Sequence, residues 1–420
     1  MNKTAWIDFW TTNTTIWYSE KKWEAKLINI YNWSTTDRTS VFYSFEEWWL
    51  PIVWEEWFEE KLFWETWRLI TSPKKFLKSD KLPDIQILRE KYNLVDIISH
   101  IISHFKKKLE KEVWEEIDSI LVWRPVRFHD TDDELNNKAE NRLKEAFKKA
   151  WFKNIEFQYE PIAAFNAYAN ENEELKKSNS KILVVDLWGW TSDFSLFDVN
   201  EKWLDIIWNT WTYVWWDNLD VSLINSHFAK FLWKWSKQRL MNWWNTEIPT
   251  HVFYEFADKA KLLFFHEYES IINSLMPLLI NKKDRISLWR FNDIFKNPAV
   301  WYLFHSYIEK TKIQLTDNEE VNINFDMFND KFSTILNKSK FNEIIYNDIE
   351  KIRLALKEIL NLSWLKAEDI NKIIMNWWTS YIPFVQTMVE DTIWKGKILK
   401  GNTLSSVWYW LTLESYERFR

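Results

Sequence analysis

The stretch VVDLWGWTSDFSLFDV, residues 184–199, sets an apolar run and Asp186 ahead of a tight turn, then Thr191 and Asp193 at the start of a second apolar run. A turn of this kind lets a phosphate approach bare backbone and often needs positive φ, so it normally holds glycines. Here it reads Trp188-Gly189-Trp190. An earlier stretch, TAWIDFWTTNTTIWYSE at 4–20, repeats the pattern: Asp8 with Thr11 and Thr12 is placed as Asp186 is with Thr191.

The elements around these two stretches follow from periodicity. Both stretches read as strand, turn, strand. Apolar residues three and four apart predict helices over 94–112, 133–152 and 341–360. IDSILVWRPV at 117–126 is a buried strand, IEFQYEPIAAFNAYA a strand running into a helix, and 369–391 strand, turn, helix. The polar patch ENEELKKSNSK, 171–181, separates two weakly similar halves, each opening on a hairpin that presents an aspartate. That argues for a duplicated α/β fold around a cleft. Residues 223–308 read as an inserted subdomain, helical and irregular.

The chain has 33 tryptophans and 3 glycines in 420 residues, whereas an ordinary chain is about 7% glycine. The two residue types look exchanged. Genuine tryptophan usage and artificial substitution are two explanations; the third is TGA read as Trp in a lineage where it encodes glycine, and that is the one adopted here. It predicts that tryptophans fall at turns rather than in cores. Trp33 in YNWSTTD, Trp211 in NTWTY and Trp243-Trp244 in MNWWNTE have turn company, and the helix of 133–152 ends at Trp151, a C′ glycine position. If the indoles are real, those at Trp10, Trp188, Trp190, Trp215 or Trp378 would plug the cleft.

A formal net charge of −6 and a pI near 5.8 give no basic field for nucleic acid or an anionic membrane. Without cysteine there is no disulfide or thiolate metal site. The N-terminus lacks the apolar core of a signal peptide, no uncharged run reaches the 18 residues of a membrane span, and a cytoplasmic location is expected.

Reading the suspect Trp as Gly, five segments resemble, in order, the ATPase domain of the seventy-kilodalton heat-shock chaperones. The resemblance runs from residue 5 to about 413. It implies an actin-like ATPase fold: two lobes of duplicated ribonuclease-H-like α/β subdomains around a nucleotide cleft. Lobe I would be 1–176 with 388–420 returning to it, and lobe II 177–387. The implied ligands are ATP or ADP with Mg²⁺. In IDFWTTNT, Asp8, Trp10, Thr11, Thr12 and Asn13 match the hairpin that holds the β- and γ-phosphates, with Asp8 facing hydrated magnesium. In RLITSPKKFL, Lys74 (Lys75 as the fallback) matches a lysine reaching the γ-phosphate and the attacking water. In FQYEPIAAFNAYA, Glu160 before Pro161 matches a glutamate of the magnesium water shell; RPVRF at 124–128 is worded as in a divergent branch. In the fourth segment Asp186 would orient the hydrolytic water, Thr191 touch the γ-phosphate and Asp193 face the metal. Trp188, Gly189 and Trp190, and then Trp215, Trp216 and Asp217, match turns that approach the phosphates. In EKTKIQLT, Glu309, Lys312 and Thr316 match adenosine contacts, and Trp377 and Trp378 match two glycines beside the purine, with Tyr381 near the usual adenine-stacking arginine.

Each segment has a plainer reading: threonines capping a hairpin, a surface lysine, a glutamate at a helix N-terminus, a solvated helix face at 309, 312, 313 and 316. Five in order favour the resemblance. The chain stops near the end of the ATPase domain, so a peptide-binding domain is not expected on it. The function implied is a chaperone-like switch that binds ATP and hydrolyses it slowly, with a co-chaperone or client of no stated identity as partner. A nucleotide sensor without turnover, a small-molecule kinase and an actin-like assembly protein are the alternatives, in that order.

Overall fold

The computed structural model describes residues 3–9, 13–21, 24–30, 35–44, 51–53, 67–129 (except 83, 88 and 89), 132–171, 175, 179–188, 191–200, 204–228 (except 213 and 215), 237–239, 245–247, 257–258, 298–325, 332–376, 382–399, 410–411 and 414–419. The chain divides into two compact units. The first is Met1–Glu55, Ser72–Trp215 and Lys351–Arg420; the second is Glu56–Thr71 and Trp216–Glu350.

The first unit holds two sheets built on one plan. The strands β1 (Thr4–Phe9), β2 (Asn13–Lys21) and β3 (Glu24–Leu27) form an antiparallel meander, and β4 (Ser119–Arg124) and β5 (Asn154–Tyr159) add to it in parallel, in the order β5-β4-β1-β2-β3. In the second sheet β6 (Ser180–Trp188), β7 (Thr191–Val199) and β8 (Leu204–Thr212) repeat the meander and β9 (Ile370–Asn376) joins β6 in parallel, in the order β8-β7-β6-β9. In both sheets the first hairpin strand lies between its antiparallel partner and a parallel crossover strand. Both strands are buried nearly along their whole length, as strands covered on both faces are, and accordingly β1 and β6 read as nearly unbroken apolar runs. The one acidic residue in each, Asp8 and Asp186, is buried near the strand's C-terminal end.

Three helices cover these sheets: α1 (Leu94–Val113), α2 (Asp133–Lys149) and α3 (Glu160–Glu171). The start of α1 is fixed by a reciprocal box, in which the Asp96 N–H donates to Asn93 Oδ1 at 3.0 Å and the Asn93 N–H to Asp96 Oδ2 at 3.1 Å. In α2 the Asp132 carboxylate accepts the Leu135 N–H at 3.0 Å. α3 is apolar on more than one side. Ala163 and Ala167 pack with Trp6, Leu121 and Trp123 of the first sheet, while Phe165 and Tyr168 pack with Ile182, Val184, Phe197 and Ile374 of the second. A helix that buries two faces must be hydrophobic nearly all round, and IAAFNAYA is.

Two groups stand out among the described tryptophans. Trp6, Trp17 and Trp123 are core residues, against the expectation that tryptophans fall at turns; Trp6 and Trp123 lie on neighbouring strands with ring centroids 6.1 Å apart. The Trp6 Nε1–H is buried with no hydrogen-bond partner among the described residues, a cost of about 1–3 kcal/mol. Trp114, Trp151 and Trp364 instead follow α1, α2 and the helix Lys338–Leu362, at φ of +55°, +68° and +59°. At two of these ends the chain closes as a Schellman motif: Trp151 N–H to Lys148 O and Phe152 N–H to Phe147 O; Trp364 N–H to Asn361 O and Leu365 N–H to Leu360 O. Among the described residues only Ser72 and Gly396 join these three at positive φ. The three indoles are 91%, 79% and 94% exposed, so they bury almost nothing in return for the strain. Replacing each by glycine is therefore expected to stabilise the written chain by about 1 kcal/mol, additively because the sites are independent. Denaturant midpoints of the single and triple variants check this.

Candidate functional site

Four charged side chains of the first unit lie near the C-terminal ends of β1, β4 and β5 and influence one another electrostatically. Asp8 is fully buried on β1, opposite Thr15 of β2. Lys74 arrives on the short 3-10 turn Pro73–Phe76, which Ser72 opens at φ +53°, its N–H donating to Thr39 O at 3.1 Å. The Lys74 ammonium donates to the Phe9 carbonyl at 2.8 Å, one residue past Asp8. That contact separates Lys74 from Lys75 as the residue that reaches β1. Glu160 is the first residue of α3, immediately after β5. Arg124 ends β4, in register with Tyr159.

Burial disfavours the charged forms here, and the opposite charges nearby work against it. Burial pushes the Lys74 ammonium down from the usual lysine range, while Glu160 and Asp8 pull it back up. Burial pushes the Glu160 carboxyl up, against Lys74 and Arg124, which favour its ionised form. Two carboxylates and two cations thus share one partly desolvated place. Arg124 was not singled out from sequence; its unusual place in RPVRF was the available signal.

The second sheet carries another pair. Asp186 and Asp193 are direct cross-strand partners of β6 and β7, and both are buried. Like charges directly opposite each other are unfavourable, and hard carboxylate oxygens suit Mg²⁺, so the pair fits a bound cation. Among the described residues no three acidic or histidine side chains converge as direct metal ligands, so an ion here would be held through water or by a ligand's own oxygens. The Ser192 hydroxyl donates to the Val214 carbonyl, which ties the hairpin to the chain leading toward Asp217.

The second unit gathers the predicted adenosine residues differently from a solvated face. α4 (Trp216–Leu223) carries Asp217 and Asp220, and α5 (Pro298–Asp317) carries Glu309, Lys312 and Thr316. Lys312 is fully buried and its ammonium lies 2.7 Å from Asp220 Oδ1. Burial pushes Lys312 down, and Asp220, Glu309 and Asp217 pull it up. Thr316 turns its hydroxyl to the Lys312 carbonyl at 3.4 Å. Asp220 was missed from sequence, although it stands one turn after Asp217 on an apolar helix face. Lys312→Met is expected to cost about 3–5 kcal/mol, since it removes the cation from a buried carboxylate. Urea unfolding should show it, and Asp220→Asn added to it should recover part of the loss.

Asn13 opens β2, in register with Arg38. For Trp188, Thr191 and Trp216 the backbone is described: Trp188 faces Thr191 in register at the hairpin end, and Trp216 opens α4. Trp10, Thr11, Thr12, Gly189, Trp190, Trp215, Trp377, Trp378 and Tyr381 lie outside the described residues. So does most of 229–297.

The protein family described as Hsp70 protein matches residues 283–401. The chaperone protein dnaK of Cyanidium caldarium is 21% identical over 306 residues, 71% of this chain and 39% of that protein. The chaperone protein dnaK of Cyanophora paradoxa is 21% identical over 313 residues, 73% of this chain and 40% of that protein. The chain therefore spans about two fifths of the length of these relatives. With the repeated α/β plan of the two sheets, the family match bears out the actin-like ATPase fold.

Proposed function

We propose, from this chain's resemblance to the ATPase domain of the heat-shock seventy chaperones, that it binds ATP with Mg²⁺ and hydrolyses it slowly as a chaperone-like switch. The observation that carries the reading is the Lys74 ammonium on the Phe9 carbonyl, beside Asp8 and Glu160. A cation held beside two carboxylates near the end of β1 supports the reading of the β1–β2 hairpin as one of phosphate-binding type. Lys74 would hold the γ-phosphate and the attacking water. Asp8 and Asp193 would hold the metal's water shell with Glu160. Asp186 would orient the water whose oxygen bonds to the γ-phosphorus as the bond to the β–γ bridging oxygen breaks; ADP leaves, and the water proton passes to Asp186 or the departing phosphate. Bound Mg²⁺ supplies charge neutralisation on the phosphates. The protein's share is positioning and electrostatics.

The other predicted residues keep their proposed places. Asn13, Thr191 and the turns at Trp10–Thr12, Trp188–Trp190 and Trp215–Asp217 would line the phosphates. Glu309, Thr316, Trp377, Trp378 and Tyr381 would line the adenosine, with Lys312, committed to Asp220, orienting its neighbours. Lobes of 1–176 with 388–420 and of 177–387, a cytoplasmic location, and a co-chaperone or client as partner complete the reading. Most tryptophans stand for glycine in it, including those of the phosphate turns. Titration of the protein from its own organism with ATP, followed by phosphate release, tests the function. Binding with release supports it, binding without release makes the chain a nucleotide sensor, and no binding removes it.

A further inference from the structure

We infer that Arg142 of α2 is a positioning residue for Lys74: its guanidinium grips the main chain that follows the lysine's 3-10 turn and so fixes where the ammonium stands. The inference rests on the proposed nucleotide reading and deepens it, because it names what holds the lysine proposed to meet the γ-phosphate. Arg142 Nη1 donates to the Leu77 carbonyl at 2.5 Å and to the Ser79 carbonyl at 2.5 Å, and Nη2 donates to the Asp80 carbonyl at 3.0 Å. All three bonds go to backbone, so they hold the path of the chain rather than another side chain. A planar fork with fixed donors is suited to gathering several acceptors at once.

The grip reaches Lys74 in two steps. Leu77 closes the 3-10 turn, its N–H donating to the Lys74 carbonyl at 3.2 Å, and its own carbonyl is one of the three that Arg142 takes. Carbonyls at the end of a helical turn find no partner within it, and a basic side chain can supply one. Before the lysine, Ser72 stands at φ +53° with its N–H on the Thr39 carbonyl. A non-glycine residue keeps that conformation only where its surroundings fix it. Lys138, one turn before Arg142 on the same helix face, adds a tie to the Asp80 carboxylate at 3.4 Å. The same helix also meets the residue that Lys74 bonds to. Phe147 of α2 packs edge-on against Phe9 with ring centroids 6.3 Å apart, and the Phe9 carbonyl accepts the Lys74 ammonium. One helix therefore sets both the lysine's turn and the lysine's acceptor. A lysine stem is long and flexible, so where its backbone is pinned decides where its charge can be.

The test uses the full chain, expressed with the residues that the native protein carries at the tryptophan positions. Single-turnover phosphate release, ADP affinity and the thermal midpoint are measured for Arg142→Met and Arg142→Lys, each with Lys74 present and with Lys74→Ala. The expected result is phosphate release lowered about 10- to 100-fold in Arg142→Met, with ADP affinity held. Arg142→Lys, which keeps the charge and can reach fewer carbonyls, should lose less. With Lys74→Ala already in place, Arg142→Met should cost the rate nothing further, because an arginine that acts through the lysine has no route left. An unchanged rate in Arg142→Met, with or without a lower midpoint, overturns the inference. So does a loss of the same size with and without Lys74, which would make Arg142 a clamp on the fold alone. If Arg142→Met does not fold, Arg142→Lys carries the same comparison: a rate lowered only where Lys74 is present supports the inference, and an unchanged rate overturns it. If the chain binds nucleotide without releasing phosphate, its preference for ATP over ADP replaces the rate as the readout. Should the unsubstituted chain bind no ADP, the nucleotide reading fails and takes this inference with it, an outcome read before any variant is made.

Discussion

The intact protein purified from its own organism is expected to weigh less than 51.7 kDa, by close to 33 tryptophan-to-glycine differences. Three helix ends give the physical reason. An L-residue in the left-handed region pays about 1–2 kcal/mol, which is why C′ positions are held by glycine. Trp114, Trp151 and Trp364 hold three of them with their rings in solvent. No contact repays the strain, and a chain under selection would not choose the bulkiest residue three times for a place that needs no side chain. The buried tryptophans stand apart from these three, since Trp6, Trp17 and Trp123 fill a core cluster. Trp6 and Trp123 sit on adjacent strands facing Ala163 and Ala167, small residues that suit a close approach of helix to sheet. A mass at 51.7 kDa would mean that the indoles are real, that the phosphate turns carry them, and that ATP binding should be abandoned. A lower mass by fewer differences would count the genuine tryptophans, and peptide mapping would place them.

Much of the fold was legible because its signals are local and periodic. The apolar runs of β1, β4 and β6 predict strands buried on both faces, and the three- and four-residue spacing of α1, α2 and Lys338–Leu362 predicts helices with a core stripe. The duplication was legible because Asp8 and Asp186 interrupt those runs at matching places. What was not legible is which charges meet. Lys74 and Lys75 look alike in sequence, and only the αL start at Ser72 decides that Lys74 reaches the Phe9 carbonyl. Lys312 reads as part of a solvated face because its spacing says nothing of α4, which brings Asp220 against it. Arg124 escaped for the same reason, since its partners come from α2 and β5, 16 and 35 residues away. The tryptophans misled in one respect: turn company is a good guide where a loop must use positive φ, but glycines also serve where layers pack closely, and Trp6, Trp17 and Trp123 stand in such strands.

Lys74→Ala is expected to lower phosphate release by about 10²- to 10³-fold, the loss seen when one preorganised charge stabiliser is removed, with ADP affinity little changed. The argument turns on what the ammonium can do when a γ-phosphate is present and when it is absent. Without one, it is held by the Phe9 carbonyl and by the charges of Asp8 and Glu160, so its position costs no reorganisation. ADP lacks the γ-phosphate, and its binding should not feel the loss. In the transition state the charge spreads over the transferring group, and a fixed, partly desolvated cation there acts more strongly than one in water. Lys74→Arg should not restore the rate, because a planar fork cannot occupy the point that a single ammonium holds on one carbonyl. The variant must also be compared in thermal midpoint, since Asp8 and Glu160 lose a cation. If Lys74→Ala lowers the midpoint but leaves phosphate release intact, the four charges are a structural network and the catalytic centre lies elsewhere. If the rate falls while the midpoint and ADP affinity hold, the lysine acts on the phosphate, and the end of β1 is where the chemistry takes place.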